Sequence, residues 1–216
     1  MLRAHRLRTR TGQLAALGAN INSLSNAALG ALIGTTWGIG NGGQIQAISA
    51  AQIAALSPSQ IGVIAGINVT TANGTVSSGL AFLNTGASAA LTSDPAKVAA
   101  IPAASVPFLW GQQIVDLGVN IQYLSNAALG ALTGQPLVLS RGQQISAITA
   151  AQIAVLSPAQ IGVIAGINVT PWGAFFSGLA YLNDAALRSL SAAQIAVLTT
   201  TQKASLSAAQ HTACGC

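Results

Sequence analysis

The residues of this 216-residue chain that could do chemistry are few, so their types and spacing can be taken one by one. His211, Cys214 and Cys216 fall within the last six positions, which admits capture of a metal ion or an intermolecular disulfide. No other cysteine exists to staple a fold, and residues 211–216 are expected to be an inert frayed tail. His5 stands alone near the start. The acids are Asp94, Asp116 and Asp184, far apart and in unlike contexts, with no glutamate anywhere. They are not expected to form a carboxylate pair for acid and base work, nor to orient a histidine and a nucleophile inside one core. Asp94, ahead of Pro95, and Asp184 fit helix starts, where negative charge complements the peptide dipoles. The run Asn41-Gly42-Gly43 lacks the Gly-Lys-Ser/Thr of a phosphate loop and reads as a turn. Trp37, Trp110, Trp172, Phe175 and Phe176 sit at loop positions, as an exposed patch for sugar or lipid or, more simply, as lids on the core. The expectation is a chain that is not an enzyme, with no catalytic, cofactor-binding or metal-ligating residue and no cofactor.

The charge balance narrows the partners. Charged residues make up 5% of the chain and hydrophobic ones 51%, far from the roughly one-quarter charged content of an average soluble domain. Of the eight basic residues behind the net charge of +5, four are Arg3, Arg6, Arg8 and Arg10, expected as a basic disordered tail over residues 1–11. The body holds Lys97, Arg141, Arg188 and Lys203 against the three aspartates. A DNA-binding face commonly neutralises about 6–10 phosphates, so no nucleic acid is expected as partner. No stretch approaches the roughly 18 apolar residues of a membrane span. Peripheral membrane contact through the Arg-rich start and apolar loops is the alternative expectation, with a nucleic-acid-binding repeat protein ranked behind it.

What must position any site is a repeat. Leu17 to Leu32 recurs as Leu117 to Leu132 with 13 of 16 positions identical, and Ile48 to Thr70 recurs as Ile148 to Thr170 with 20 of 23 identical. The chain is therefore a tandem duplication, with repeat unit 1 expected over 12–110, repeat unit 2 over 111–210, and the join near 102–113.

Within each copy runs a period of eight. Ile48, Leu56 and Ile64 keep it, as do Ile148, Leu156 and Ile164, then Leu182, Leu190, Leu198 and Leu206. The unit reads Leu-Ser/Thr-x-x-Gln-Ile-x-x, and its core occurs at Ser49 to Gln52, Ser57 to Gln60, Thr149 to Gln152, Ser157 to Gln160, Ser191 to Gln194, Thr199 to Gln202 and Ser207 to Gln210. Ser or Thr followed three residues later by Gln is a capping box: the hydroxyl accepts from the amide of the third helical residue, and the Gln side chain returns to the cap amide. Pro58 and Pro158 follow their caps at the first helical position, where a missing amide hydrogen is no loss. Ser25, Asn84, Ser125 and Asn183 offer a cap after a leucine without the Gln. One continuous helix does not fit, because eight residues at about 100° leave successive leucines drifting by about 80°. Each octad is expected to start its own short helix, stabilised by stacking on its neighbours.

The segments 33–43 and 68–79 are rich in Gly, Thr and Asn and read as loops or short strands. Val119, Ile121 and Tyr123 alternate with Asn120 and Gln122, which is strand-like. The expected fold is all-α, a superhelical solenoid of short capped helices with such loops or strands between the runs.

The octads resemble those of large, low-charge bacterial repeat proteins with LTTAQIAALTTAQ-type arrays, and Leu117 to Leu132 is similar to the spacer between octad runs in that family. Acidic residues often stand there in place of Asn120 and Asn126; their absence departs from any calcium-related role. The resemblance covers most of 12–210 and implies a secreted or surface-exposed, adhesive or structural protein with no catalytic residue. A local resemblance also links Leu56 to Ile67 and Leu156 to Ile167 to the opening helix of transcription-activator-like effector repeats. Here, however, the interval is 100 residues and the second-helix Lys is missing. The expected function is a non-enzymatic structural or interaction module of a bacterial surface or extracellular protein. Its expected partners are protein or carbohydrate surfaces or a second copy of itself.

Overall fold

A computed structural model describes residues 12–32, 43–70, 76–133, 144–169 and 176–216. Expectations placed on other residues, including the basic start and the loop 33–42, lie outside them. The described chain is mostly helical with a few short strands, and it divides into two compact units, Met1–Phe108 and Leu109–Cys216.

The helices are short because each is started by its own cap and stopped before the next. All seven Ser/Thr-x-x-Gln segments close as capping boxes, with both the hydroxyl and the amide arm engaged. Ser25, Asn84, Ser125 and Asn183 also act as N-caps, each accepting from a backbone amide three residues on. Pro58 and Pro158 open helices Pro58–Ala65 and Pro158–Ala165. In 183–214 the caps Asn183, Ser191, Thr199 and Ser207 launch four helices in strict succession. All ten residues of the eight-residue period are buried. Restarting the helix at every octad thus returns each leucine or isoleucine to the core, which an uninterrupted helix would not do.

Packing within a unit follows two columns. In the first unit, helix Ala50–Ala55 packs against the 3-10 segment Gly18–Ser23 and helix Thr85–Thr92, while Pro58–Ala65 packs against Asn26–Gly30 and Pro95–Ala99. In the second, Ala150–Val155 packs against Gly118–Tyr123 and Asp184–Arg188, and Pro158–Ala165 against Asn126–Gly130 and Ala192–Ala196. Each unit therefore has three rows of paired short helices. Beyond its third row the second unit adds Ala208–Cys214, which packs on Asp184–Arg188.

A two-stranded antiparallel hairpin leaves the second row of each unit: β1 (Asn68–Thr70) with β2 (Val76–Ser78), and β3 (Asn168–Val169) with β4 (Phe176–Ser177). The returning strand runs directly onto the preceding helix end. Gly79 donates to the Ile67 carbonyl at 2.9 Å and Gly178 to the Ile167 carbonyl at 2.7 Å. A Cβ at either glycine would collide with the backbone oxygen of Ile64 or Ile164.

Two expectations are corrected. Residues 118–123 are not a strand but the 3-10 segment Gly118–Tyr123. A strand would turn Val119, Ile121 and Tyr123 to one face, whereas Ile121 is fully buried and the other two are 52% and 46% exposed. The core positions are Leu117, Ile121 and Leu124, spaced four and three apart as in a helix. Residues 211–216 are not frayed either: helix Ala208–Cys214 is boxed by Ser207 and Gln210, and Cys214 is buried.

Candidate functional site

Of the seven capping glutamines, six use two arms. For Gln52, Oε1 accepts from the Ser49 amide at 2.9 Å, while Nε2 donates to the Leu14 carbonyl, 38 residues earlier, at 2.6 Å. Gln60 reaches the carbonyls of Asn22 and Leu24. In the second unit Gln152 reaches Ile114, Gln160 reaches Gln122, Gln194 reaches both Ile153 and Leu156, and Gln210 reaches Ala180. Asn84 and Asn183 do the same from the cap position itself, donating to the carbonyls of Gln46 and Ile48 and of Ser146 and Ile148. Gln144 joins them without belonging to an octad box: it accepts from the Thr133 amide and donates to the Leu109 carbonyl. Gln52 and Gln152 are essentially inaccessible to solvent. These amides are satisfied at both ends by backbone, so they hold rows together and offer nothing to a ligand.

The aspartates stay in separate settings. Asp94 caps helix Pro95–Ala99 and forms an ion pair with Lys97 at 2.6 Å. Lys97 is itself buried, and its ammonium also donates to the Ala54 carbonyl at 3.1 Å. The hydrogen bond from Lys97, helped by the amides of Lys97 and Ala96, holds the Asp94 carboxyl below the usual carboxylate range. Asp184 opens helix Asp184–Arg188, and Asp116 accepts from Gln112 Nε2 at 2.8 Å.

Among the aromatic residues singled out by sequence, Trp37, Trp172 and Phe175 lie outside the described residues, and so do His5 and the basic start. Trp110 and Phe176 are each 37% exposed. Phe176 stands edge-on to Tyr181, ring centroids 6.5 Å apart at 87°, and burial pushes the Tyr181 hydroxyl up. An edge-on pair of this kind is a favourable aromatic contact.

The one convergence of chemically versatile groups among the described residues is His211, Cys214 and Cys216. One turn of helix Ala208–Cys214 separates His211 from Cys214, placing both on one face. Gly215, in the left-handed region at φ 66°, folds the chain back so that the amides of Gly215 and Cys216 both donate to the His211 carbonyl. Cys214 and Cys216 are joined in a disulfide, and His211 Nδ1 lies 2.6 Å from the Cys216 carbonyl oxygen. A ring nitrogen of His211 and the two sulfurs lie within 4.8 Å of one another. Sequence brought these three together by proximity alone; the left-handed turn that converges them was not anticipated. No helix among the described residues is long and apolar enough to cross a membrane. Comparison with known proteins finds no matching family model, no matching curated protein and no matching solved structure.

Proposed function

We propose that the chain is a non-enzymatic structural and interaction module, a superhelical solenoid of octad-capped helices that works by self-association or adhesion at protein or carbohydrate surfaces, at or outside the cell surface. The observation that supports it is the two-armed use of Gln and Asn. Their far arms reach back 30 to 41 residues, most of them 35 to 38, in both units. A recurrent reach of that size is what a coil with a fixed number of residues per turn produces, since each row then meets the one before it through the same bond. The two-armed amides are occupied by the fold, and the outer helix faces carry Ala, Ser, Thr and Asn, suited to contact with another neutral surface.

Two measurements test the two halves of this reading. A second copy of residues 149–182 inserted after Leu182 adds a row while keeping every cap behind its leucine. A solenoid accepts it and unfolds cooperatively at a higher temperature; loss of the folded state overturns the solenoid. Sedimentation velocity over a wide concentration range, beside retention on polysaccharide-coated beads, tests the interaction. Rising sedimentation coefficients or retention support it, and a monomer that ignores both overturns it.

A further inference from the structure

We propose that the His211, Cys214 and Cys216 turn is a redox-gated binding site for a thiophilic divalent cation of the zinc class, closed by the disulfide when oxidised and open when reduced. Three features bear on it. The helix register puts His211 and Cys214 on one face, and the left-handed Gly215 returns Cys216 to that face. The three donor atoms already lie within 4.8 Å of one another, a spread that small side-chain rotations bring onto one ion. The backbone under them is fixed, because two amides converge on the His211 carbonyl and the helix is packed on Asp184–Arg188.

The donor set selects the ion. Two thiolates and one imidazole suit zinc and its soft or borderline neighbours, whereas calcium and magnesium require oxygen ligands. Three protein ligands leave a fourth tetrahedral position for water or for a group on a partner. The hydrogen bond from His211 Nδ1 to the Cys216 carbonyl orients the ring over the turn before any ion arrives.

The gate is a balanced exchange. A dithiol reductant attacks the Cys214–Cys216 bond, its two sulfurs become a disulfide, and its two hydrogens pass to the two cysteines as thiols. The divalent cation then displaces both thiol protons to solvent, and the two thiolates neutralise its charge. A disulfide oxidant reverses the order: the two thiolates rejoin as the Cys214–Cys216 bond, the oxidant's two sulfurs leave as thiols with two protons from solvent, and the ion, losing two of three ligands, departs.

Cobalt titration of the full-length chain tests this. The chain is first reduced with a phosphine, which takes oxygen from water to become the phosphine oxide while the cysteines take the two hydrogens. Cobalt(II) alone is then added without air. The expected result is one equivalent bound, with a thiolate-to-cobalt charge-transfer band and the intense visible bands of tetrahedral cobalt, bleached by zinc. Cys216→Ser and His211→Gln are each expected to weaken binding at least about tenfold to a hundredfold, since loss of even an outer-shell partner costs that much. Because Cys214 is buried, the variants are placed at the more accessible His211 and Cys216, and circular dichroism confirms that the helices persist in each. No band in the reduced chain, or an undiminished band in Cys216→Ser, overturns the site. Equal cobalt binding by the oxidised chain overturns the gate.

Discussion

Through their first two rows the two units solve one packing problem with the same residues, and in the third they part. In the second unit the far arm of Gln194 reaches the Ile153 and Leu156 carbonyls at the end of helix Ala150–Val155. In the first unit the equivalent stretch of helix Ala50–Ala55 is reached at Ala54 by the Lys97 ammonium, whose charge is balanced by Asp94. One unit closes with a neutral amide and the other with a buried ion pair. A row thus needs a donor of the right reach and does not need a charge. The charged solution requires a second residue to be tolerated, because an unpaired ammonium at that depth is costly. The neutral solution repeats every eight residues with no such partner, which is why the octads can carry so little charge.

The largest expected effect tests what the units share. Gly79→Ala and Gly178→Ala each push a methyl group into the carbonyl of Ile64 or Ile164, and each should cost about 3 kcal/mol in denaturant unfolding. Equal losses, with amide exchange rising in the mutated unit alone, sharpen the equivalence; tolerance at either position breaks it. Next come the two-armed glutamines. Gln152→Met removes a box arm and leaves the buried Ile114 carbonyl unpaired, for about 2–3 kcal/mol. Gln202→Met removes a box arm alone from a half-exposed position, for about 1 kcal/mol or less. Similar losses by thermal unfolding would show that the far arm contributes nothing.

The ion pair then separates the units by pH. Asp94 is held below its unfolded value, so its contribution is fully present above about pH 4 and is lost as pH falls through its native value. Hydrogen exchange at helix Pro95–Ala99 should therefore accelerate on acidification ahead of helix Ala192–Ala196. Parallel acceleration of the two would remove the ion pair from the account. Lys97→Gln, which imports the neutral solution, should erase the difference. The smallest expected effect lies at Ser88, whose buried hydroxyl has no partner, while the second unit has fully buried Leu187 at the matching place. Ser88→Ala should stabilise the first unit by about 0.5–1 kcal/mol, read as a shift in the denaturant midpoint at constant slope.

What could be read from the sequence was the chemistry that closes within four residues. Ser49 and Gln52, like the six other boxes, contain donor, acceptor and spacing in one short string, so helix starts were legible, and the eight-residue period told which side chains face inward. What was hidden depends on partners far along the chain. Nothing beside Gln52 names Leu14, and nothing beside Lys97 names Ala54. The segment 118–123 misled because polar and apolar residues alternate there by chance, while the decisive positions, Leu117 and Leu124, lie just outside it. The turn at His211 to Cys216 was obscured for a related reason: its left-handed glycine stands between two cysteines, where spacing alone does not distinguish a closed loop from an open end.

The two-armed glutamine also sets how these units come apart. In a row held by hydrophobic contact alone, a helix can unwind at its first turn while the row stays in place, or the row can lift while the helix stays wound. Where one side-chain amide serves the cap with its oxygen and the preceding row with its nitrogen, losing either bond frees the residue that makes the other. Unwinding and separation become a single event. Chains of weakly coupled neighbours ordinarily melt in small independent pieces, but here each amide makes two adjacent pieces open and close together.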